Sequence, residues 1–241
     1  MSFDIRPPMK NNIESHKSFV KEKFDRLVRR YDLVNSLASF YQDYFWRKRV
    51  SDLLKEVEGP ILDLCCGPYT LSLELLKKKK RTLFALDLSM EMLSYGKRKL
   101  GPFYDYIFPL RGDAERLPFK DNSFQALTIA FGLRNLPRME LALEEFHRVL
   151  KKNGLLLILE FSIPKNPFIK ALYLPYLKYC IPLLGGILTG DKEAYLYLAK
   201  SIQTFPPQEK IHRLLTERGF SEVKRENLTF GVVTLYLYQK S

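Results

Sequence analysis

Two aspartates stand where apolar runs of the sequence end, and carboxylates in such positions can bind a nucleoside. Asp87 follows the run 82–86 and comes 20 residues after Gly67, which suits a carboxylate that accepts hydrogen bonds from ribose hydroxyls. Asp113 follows the run 105–110, where it can take the exocyclic amine of adenine, and Ala114 beside it is small enough for close packing. Either aspartate taken alone could equally belong to an ordinary turn.

The turn after the first apolar run is the second part of this predicted site. Its sequence is Asp63-Leu-Cys-Cys-Gly-Pro-Tyr, in which Cys65 and Tyr69 stand where further glycines would be expected. A plain structural turn explains such a segment equally well. A nucleoside without a pyrophosphate does not need the full glycine-rich phosphate fingerprint, so the pattern favours S-adenosylmethionine over NAD.

Alternating apolar runs and helical patterns predict the elements that position these residues. Helices are expected at 71–80, from Ser89 onward, at 140–150 (ending at Asn153-Gly154) and at 208–218, with Thr70 and Ser89 as N-caps. Strands are expected at 60–64, 82–86, 105–110, 124–130, 155–161, 223–227 and 232–238. This order predicts an α/β fold with a doubly wound, mostly parallel, seven-stranded Rossmann-like sheet whose ligand crevice lies at the strand ends.

The segment 163–201 interrupts this alternation. It is apolar and aromatic, but Lys170, Pro175, Lys178 and Pro182 divide it, whereas a transmembrane helix needs about 20 apolar residues with few charges. We therefore expect a helical lid over an apolar substrate, or an interfacial element, with an ordinary packed insertion as the alternative. One domain, 1–241, is expected, with N-terminal helices in 1–58.

The composition indicates a basic protein of a reducing compartment. The formal net charge is +12, which would attract an anionic membrane surface or a nucleic acid, although a solvated lysine-rich surface is an equal alternative. The charge is spread along the chain without an aromatic-basic RNA signature, so we expect no nucleic-acid partner. Cys65, Cys66 and Cys180 form no disulfide framework, and the first residues contain no secretory signal, so a cytoplasmic location is expected. The histidines show no metal-ligand spacing.

Several longer motifs occur together and in a fixed order. Four of them resemble class I methyltransferases: Asp63-Leu-Cys-Cys-Gly, Leu86-Asp-Leu-Ser-Met-Glu-Met-Leu, Gly112-Asp-Ala-Glu-Arg-Leu-Pro-Phe and Arg148-Val-Leu-Lys-Lys-Asn-Gly. Phe131-Gly-Leu-Arg-Asn, Leu159-Glu-Phe-Ser and Asn227-Leu-Thr-Phe-Gly-Val-Val more narrowly resemble the family of demethylmenaquinone and ubiquinone C-methyltransferases. The resemblance extends from about Tyr31 to Tyr238, nearly the whole chain.

This resemblance implies methyl transfer from S-adenosylmethionine to a ring carbon of a polyprenylated quinol. Arg134 and Asn135 are then the catalytic candidates, with Arg134 stabilising a quinolate and orienting a water, unless it only pairs with Glu160. Tyr31 and Asn35 are expected to close over the cofactor, or else to pack between helices. The cofactor-binding candidates are Asp63, Cys65, Gly67, Pro68, Asp87, Leu88, Asp113, Ala114, Ala130, Tyr31 and Asn35.

Some positions depart from the family pattern. Gly67-Pro68-Tyr69 replaces a Gly-Thr-Gly turn, Ala130 replaces a serine, and Asp43 stands where the family has a histidine. Two other functions therefore remain open: a methyltransferase acting on RNA or another small molecule, and a non-catalytic scaffold for quinone biosynthesis. A homodimer and peripheral contact with the inner membrane face are further expectations.

Overall fold

A seven-stranded sheet forms the centre of the protein, which is described by a computed structural model covering residues 10–28 and 30–241, with the side chains of 10–12, 31 and 32 outside the description. The strands are β1 Ile61–Leu64, β2 Leu83–Asp87, β3 Ile107–Arg111, β4 Phe124–Ala130, β5 Leu150–Phe161, β6 Phe220–Leu228 and β7 Val233–Lys240. Their order is β3-β2-β1-β4-β5-β7-β6, with β7 antiparallel to both neighbours and the other pairs parallel. The predicted Rossmann-like fold is confirmed.

The central strand β1 is buried along its whole length, as expected for a continuous apolar run covered on both faces. Ile61 pairs with Leu83 on β2 and with Ala126 on β4, so these three strands run in parallel register. Because parallel strands end at the same edge of a sheet, the turns that follow β1, β2 and β4 lie beside one another. This edge carries the candidate site.

Ten α-helices surround the sheet within the part of the chain that the structure describes. They are α1 Lys10–Leu27, α2 Tyr31–Ala38, α3 Gln42–Leu53, α4 Thr70–Lys78, α5 Met90–Lys97, α6 Met139–Val149, α7 Pro167–Pro175, α8 Ile181–Thr189, α9 Lys192–Thr204 and α10 Gln208–Thr216. A π-helical turn, Tyr176–Cys180, joins α7 to α8 without a break, and short 3-10 turns span Gly101–Tyr106, Leu133–Asn135 and Thr229–Gly231. Ser89 caps α5 as predicted, accepting a hydrogen bond from the amide of Met92 at 3.0 Å.

Two predicted helix boundaries were wrong. The helix expected at 140–150 ends at Val149, and β5 starts at once, so that Asn153 (φ 61°) and Gly154 lie within the strand as an irregularity rather than at a helix end. Thr70 is the first helical residue and not the cap, because Tyr69 holds the N-cap position in a left-handed conformation without a side-chain cap. The start of β5 thus displaced the helix end expected at Asn153-Gly154, and the turn at Tyr69 displaced the expected N-cap at Thr70.

The segment 163–201 packs on the N-terminal helices instead of on the sheet. Leu27 and Val34, from α1 and α2, form one buried cluster with Leu177, Ile181 and Tyr195. The helical run Pro167–Thr189 is long and apolar enough to cross a membrane by length and composition alone, despite its lysines and prolines. Length and composition do not place it in a membrane, and its inner side is occupied by protein.

Candidate active site

A groove of about 100 Å³ lies at the carboxyl edge of the sheet, beyond the ends of β1, β2 and β4. Most of the predicted cofactor residues line it, together with one predicted catalytic residue: Cys65, Gly67, Asp87, Leu88, Asp113, Ala114, Ala130 and Asn135. The fold thus brings together residues from four separate loops. Their contact with a cofactor stays a prediction.

Asp87 connects the two sides of this groove. One carboxylate oxygen accepts a hydrogen bond from the amide of Gly67 and the other from the amide of Ser89, both at 2.8 Å. Burial raises the pKa of this carboxyl, while the two amide hydrogen bonds oppose that rise. Each oxygen keeps a lone pair, so the carboxylate can accept ribose hydroxyls in a fixed orientation.

The unusual turn after β1 keeps the shape that glycines would give it. Cys65, Gly67 and Tyr69 have φ values of 51°, 53° and 63°, in the left-handed region that favours glycine. The Tyr69 side chain is buried away from the groove, and its hydroxyl donates to the carbonyl of Leu93 at 3.0 Å. Gly96 makes room for this ring, since a Cβ there would lie 2.6 Å from it. The departure from Gly-Thr-Gly therefore does not block the groove, and it gives no support to a non-catalytic scaffold.

Four predicted cofactor residues are not among those that line the groove: Asp63, Pro68, Tyr31 and Asn35. The buried carboxylate of Asp63 accepts hydrogen bonds from Ser72 at 2.5 Å and from Thr128 at 2.7 Å, so it ties β1 to α4 and β4 instead of facing a ligand. Burial raises its pKa to about 6. Pro68 lines neither the groove nor the larger cavity beside it. The side chain of Tyr31 lies outside the described residues.

Helix α1 lies across the groove, which the sequence pattern did not reveal. The ammonium of Lys17 is 2.5 Å from the carboxylate of Asp113 and 2.6 Å from that of Glu115. Burial of Lys17 disfavours its charged form, yet its hydrogen bonds to these carboxylates raise its pKa overall. A hydrogen bond between Ser89 and Asp25 makes a second link from the groove to α1. An adenine amine at Asp113 would therefore share this carboxylate with Lys17.

A second, mostly apolar cavity of about 370 Å³ lies beside the groove, between the N-terminal helices and the segment α7–α9. Phe24 and Phe131 line both spaces, so the two are adjacent. Asn35, predicted at the cofactor, lines this larger cavity instead. The sequence predicted a lid over an apolar substrate, and the structure shows a cavity under that segment.

Three rings, from Trp46, Phe131 and Phe161, form what we call the aromatic cluster on one side of this cavity. Their centroids are 5.9 Å (Trp46–Phe131), 6.1 Å (Trp46–Phe161) and 4.6 Å (Phe131–Phe161) apart. Phe131 has a φ of 59°, an unfavourable conformation for a bulky residue. Its amide donates to the carbonyl of Leu159 and its carbonyl accepts from Arg134, which holds it there. Backbone strain of this kind is typical of functional sites.

Arg134 lines the larger cavity and is only partly satisfied by protein. Its guanidinium lies 2.7 Å from the fully buried carboxylate of Glu160 and 5.3 Å from the ring centroid of Phe161. The expected alternative, a pair with Glu160, is therefore present. The Nε of Arg134 is nonetheless buried and has no hydrogen-bond partner among the described residues. A buried donor of this kind is costly unless a ligand uses it.

Asp43 and Arg47 form a second charged pair at this cavity, with 2.6 Å between the Asp43 carboxylate and the guanidinium. Ser39 donates a hydrogen bond to the other Asp43 oxygen at 3.1 Å, and Arg47 lies 5.3 Å from the ring centroid of Phe131. Asp43 is the only carboxylate among the described residues that line the cavity. The sequence analysis named Asp43 only as a departure from the family pattern, although the i,i+4 spacing of Asp43 and Arg47 could have indicated this ion pair.

Comparison with known proteins shows to which family this chain belongs. A profile of the ubiE/COQ5 methyltransferase family matches residues 10–240. The chain belongs to the ubiE/COQ5 methyltransferase family. It is 38% identical over 230 residues to a demethylmenaquinone methyltransferase of Staphylococcus saprophyticus, covering 94% of this chain and 98% of the relative. A demethylmenaquinone methyltransferase of Staphylococcus aureus is 36% identical over 230 residues, covering 94% and 95%.

Solved structures agree on the fold of this family member. A methyltransferase of Thermotoga maritima, described as a possible histamine N-methyltransferase, superposes with a TM-score of 0.64 at 18% identity, covering 92% of this chain and 100% of the other. An S-adenosylmethionine-dependent methyltransferase of Aquifex aeolicus superposes with a TM-score of 0.56 at 16% identity, covering 80% of this chain and 89% of the other. At such identities the likeness shows the fold alone. Together with the family match, it confirms the predicted S-adenosylmethionine-dependent methyltransferase.

The residues of the groove fit an adenosyl cofactor. The half-buried carboxylate of Asp87 stands at the end of β2, where a ribose can be bound, and the small Ala114 follows Asp113. Gly132 also lines the groove, and a Cβ there would lie 2.5 Å from that of Cys65, so only glycine allows these two loops to approach so closely. Burial raises the pKa of the Cys65 thiol well above its usual value, which leaves it an uncharged, space-filling neighbour.

Proposed function

We propose that this protein methylates a ring carbon of a polyprenylated hydroquinone, with demethylmenaquinol as the first candidate and S-adenosylmethionine as the methyl donor. The names of the relatives support this substrate class. The observation that carries the proposal is the contact between the two spaces. Phe131 separates a nucleoside-type groove from an apolar cavity that also contains the unpartnered Nε of Arg134.

The aromatic cluster and Arg134 are suited to holding a quinol ring. The flat ring stacks on aromatic side chains, and the Nε of Arg134 donates a hydrogen bond to one ring oxygen. Arginine stays protonated, so it stabilises the developing quinolate and does not remove the proton. The apolar walls of the cavity receive the first part of the prenyl tail.

Asp43 is the proposed proton acceptor, because it is the one carboxylate of the described residues at this cavity. S-adenosylmethionine supplies an electrophilic methyl group on a sulfonium. Asp43 would accept the hydroxyl proton, and the ring carbon would take the methyl group as neutral S-adenosylhomocysteine leaves. The methylated ring would then lose the proton on that carbon to water, and Asp43 would return its proton to the ring oxygen. The helical segment over the cavity limits the access of bulk water during methyl transfer, and the ring proton leaves afterwards. We place it on the cytoplasmic side, where reduced cysteines are stable.

The deciding experiment incubates the pure protein with S-adenosylmethionine and demethylmenaquinol under reducing conditions, followed by mass spectrometry of the extracted quinone. We expect a product heavier by one methylene, and fragmentation should place the new methyl on the ring. A benzoquinol precursor of ubiquinone, tested in parallel, reports ring preference. No transfer to either quinol by a protein that binds S-adenosylmethionine would overturn the proposal.

The Asp43→Asn variant, included in the same assay, tests the proposed proton acceptor. We expect slower turnover with an unchanged Kd for S-adenosylmethionine, because Asp43 lies outside the groove. Equal turnover by Asp43→Asn and the wild type would remove Asp43 from the mechanism without affecting the substrate assignment.

A further inference from the structure

The outer side of the helical run Pro167–Thr189 is apolar although it faces solvent. Exposed residues recur every three or four positions along it, as one stripe: Phe168, Leu172, Pro175, Tyr179, Leu183 and Ile187. Phe168 and Ile187, near its two ends, are 71% and 72% exposed. An amphipathic helix normally presents its polar side to water. A continuous apolar stripe at the surface therefore indicates a face that contacts something other than water.

The charges beside this stripe all have one sign. The 23 residues of the run contain no aspartate or glutamate, and the only charged side chains, Lys170 and Lys178, are both exposed. Apolar residues flanked by lysines are typical of helices that lie in the headgroup layer of an anionic bilayer. A protein partner would need no such bias toward cations.

A second exposed apolar group belongs to other elements that border the same cavity. It consists of Phe40, Tyr41, Tyr44 and Phe45, around the start of α3, and Phe230, in the last 3-10 turn. Phe40 is 72% exposed, and its ring centroid lies 5.9 Å from that of Tyr176 in the helical run.

Contacts within the fold connect these two groups around the cavity. Phe40 and Leu172 are exposed and also line it, and so does Thr229, which accepts a hydrogen bond from the Trp46 indole at 2.8 Å. Phe230 follows Thr229 directly and is 80% exposed. Each of the two groups thus has an exposed apolar residue that lines the apolar cavity, Leu172 in the first and Phe40 in the second. We call the two groups together the lid face.

We propose that the lid face lies in the interfacial layer of an anionic lipid bilayer, with the rim of the apolar cavity turned toward the lipid. A prenyl tail can then enter the cavity without crossing water. This use of the cavity rests on the proposed function, whereas docking of the lid face on the bilayer does not.

The packing of the inner side makes the helical run lie along the membrane instead of across it. Leu177 and Ile181 are buried against α1, α2 and α9, and Gly185 is so close to α9 that a Cβ there would lie 2.0 Å from the Tyr195 ring. A spanning orientation would break these contacts and place the charge of Lys178 in hydrocarbon. Burial of the outer stripe alone keeps the fold intact.

Flotation with lipid vesicles tests this proposal with the full-length protein. The vesicles contain either phosphatidylglycerol and phosphatidylcholine (about 3:7) or phosphatidylcholine alone. We expect the wild type to float with the anionic vesicles and much less with the neutral ones. The Leu183→Ser/Ile187→Ser variant should partition on the order of tenfold less, since two buried aliphatic side chains are lost from the bilayer. Neither residue lines the cavity.

Charge reversal separates the electrostatic contribution to vesicle binding from the contribution of the apolar side chains. Lys170→Glu/Lys178→Glu should weaken binding to anionic vesicles on the order of tenfold or more, and should change binding to neutral vesicles little. The matched control is Lys151→Glu/Lys152→Glu, which reverses two exposed lysines at the opposite end of β5 and so leaves the lid face unchanged. Tyr104→Ser/Val223→Ser, exposed elsewhere, is the control for the apolar pair.

Three outcomes would overturn the proposal: no flotation of the wild type, equal loss in the control variants, or a doubling of the solution mass that Leu183→Ser/Ile187→Ser abolishes. The last would assign the lid face to a second copy of the chain. Because flotation needs no turnover, its result stands apart from the methylation assay. A water-soluble quinol with a short side chain should still be methylated by Leu183→Ser/Ile187→Ser if the proposed function holds.

Discussion

Asp87 shows how one carboxylate can organise a binding site before a ligand arrives. Two backbone amides from different loops bind its two oxygens, so its orientation is set by the fold and not by the ligand. A ribose that binds there meets an acceptor that needs no reorganisation, which lowers the entropic cost of binding. The strength of cofactor binding should therefore depend strongly on this side chain.

Replacement of Asp87 by alanine should weaken S-adenosylmethionine binding by about 10- to 100-fold, because a hydrogen bond to a charged group contributes roughly 1.5–3 kcal/mol. Isothermal titration calorimetry measures the change. Asp105→Ala, at an exposed carboxylate away from the groove, is the control and should bind normally. An unchanged Kd in a folded Asp87→Ala protein would contradict the assignment.

Arg134 has two roles that a substitution can separate. Its removal would leave Glu160 buried without a counter-charge, which lowers the stability of the fold by about 3–5 kcal/mol. A loss of activity in such a variant could then result from unfolding instead of from a catalytic role. Arg134→Lys keeps the charge but not the Nε donor. We expect at least tenfold slower methyl transfer, with a nearly unchanged Kd for S-adenosylmethionine. Stopped assays at saturating cofactor, combined with calorimetry, measure both. A parallel loss of turnover and cofactor affinity would indicate a structural role only.

Asp63 should make the stability of the protein depend on pH. Its pKa of about 6 in the folded state exceeds the usual 3.8, so the unfolded chain ionises this carboxyl first. Stability is then highest below pH 4 for this group, and it falls by roughly 3 kcal/mol as the pH rises through 6. Asp63→Asn lacks this loss. In urea unfolding, the free energy of unfolding of Asp63→Asn should rise relative to that of the wild type between pH 4.5 and 7.5. If the difference between the two proteins stayed constant over this range, the raised pKa of Asp63 would be contradicted.

At the scale of elements, helical segments cover both parts of the site. Helix α1 reaches the groove through Lys17, and Phe24 of the same helix lines the larger cavity as well. The run α7–α8 and helix α9 cover the cavity and pack on α1 and α2 through one shared cluster. Movement of helix α1 should therefore affect the position of α7–α9, and the reverse should also hold. Such closing segments commonly control access and exclude water in enzymes.

Two adjacent glycines of α8 offer a matched test of the lid. A Cβ at Gly185 would lie 2.0 Å from the ring of Tyr195, whereas one at Gly186 would lie 3.3 Å from its nearest neighbour, the Cβ of Lys192. Gly185→Ala should push α8 from α9, at a cost of about 1–3 kcal/mol, and lower kcat/KM for the quinol at least tenfold. Binding of S-adenosylmethionine should be unaffected.

The control Gly186→Ala should stay within about twofold of the wild type, and thermal unfolding of both variants accompanies the kinetics. If Gly185→Ala also behaved as the wild type, the close packing of α8 on α9 would not matter for the lid.

At the scale of the whole molecule, charge and apolar surface are distributed differently. The net charge of +12 is spread over the chain, whereas the longest exposed apolar stripe described above lies along one helical run, although single exposed apolar residues such as Tyr104 and Val223 occur elsewhere. A diffuse positive charge binds any polyanion weakly and is screened by salt. An apolar surface is not screened. This difference distinguishes a membrane from RNA as the target of the basic surface.

The salt concentration should therefore distinguish binding to RNA from binding to anionic vesicles. Binding to a double-stranded RNA should fall by orders of magnitude between 50 and 200 mM NaCl, whereas partition into anionic vesicles should fall far less. Fluorescence anisotropy with labelled RNA and flotation at the same two salt concentrations compare them. RNA binding that persists at 200 mM, in a protein without quinol turnover, would favour the RNA methyltransferase alternative.

The sequence alone determined the sheet and the family. The predicted strand segments of five to seven residues and the spacing of 20 residues between Gly67 and Asp87 are local features, so they can be read without knowing what packs against them. The motifs named Cys65, Asp113 and Ala130, which line one groove in the structure, and their contact with a cofactor stays a prediction. Helix ends were less certain, as Val149 and Thr70 show, because neighbouring strands and turns decide them.

Only the tertiary structure decided how those residues are used. It turned Asp63 toward Ser72 and Thr128, brought Lys17 to Asp113 across 96 positions of sequence, and left the Nε of Arg134 unpartnered beside an apolar cavity. Such pairings depend on the direction of each side chain and on the packing of distant helices, and no local spacing encodes either. Residue types fix which chemistry is possible, and packing selects which group performs it.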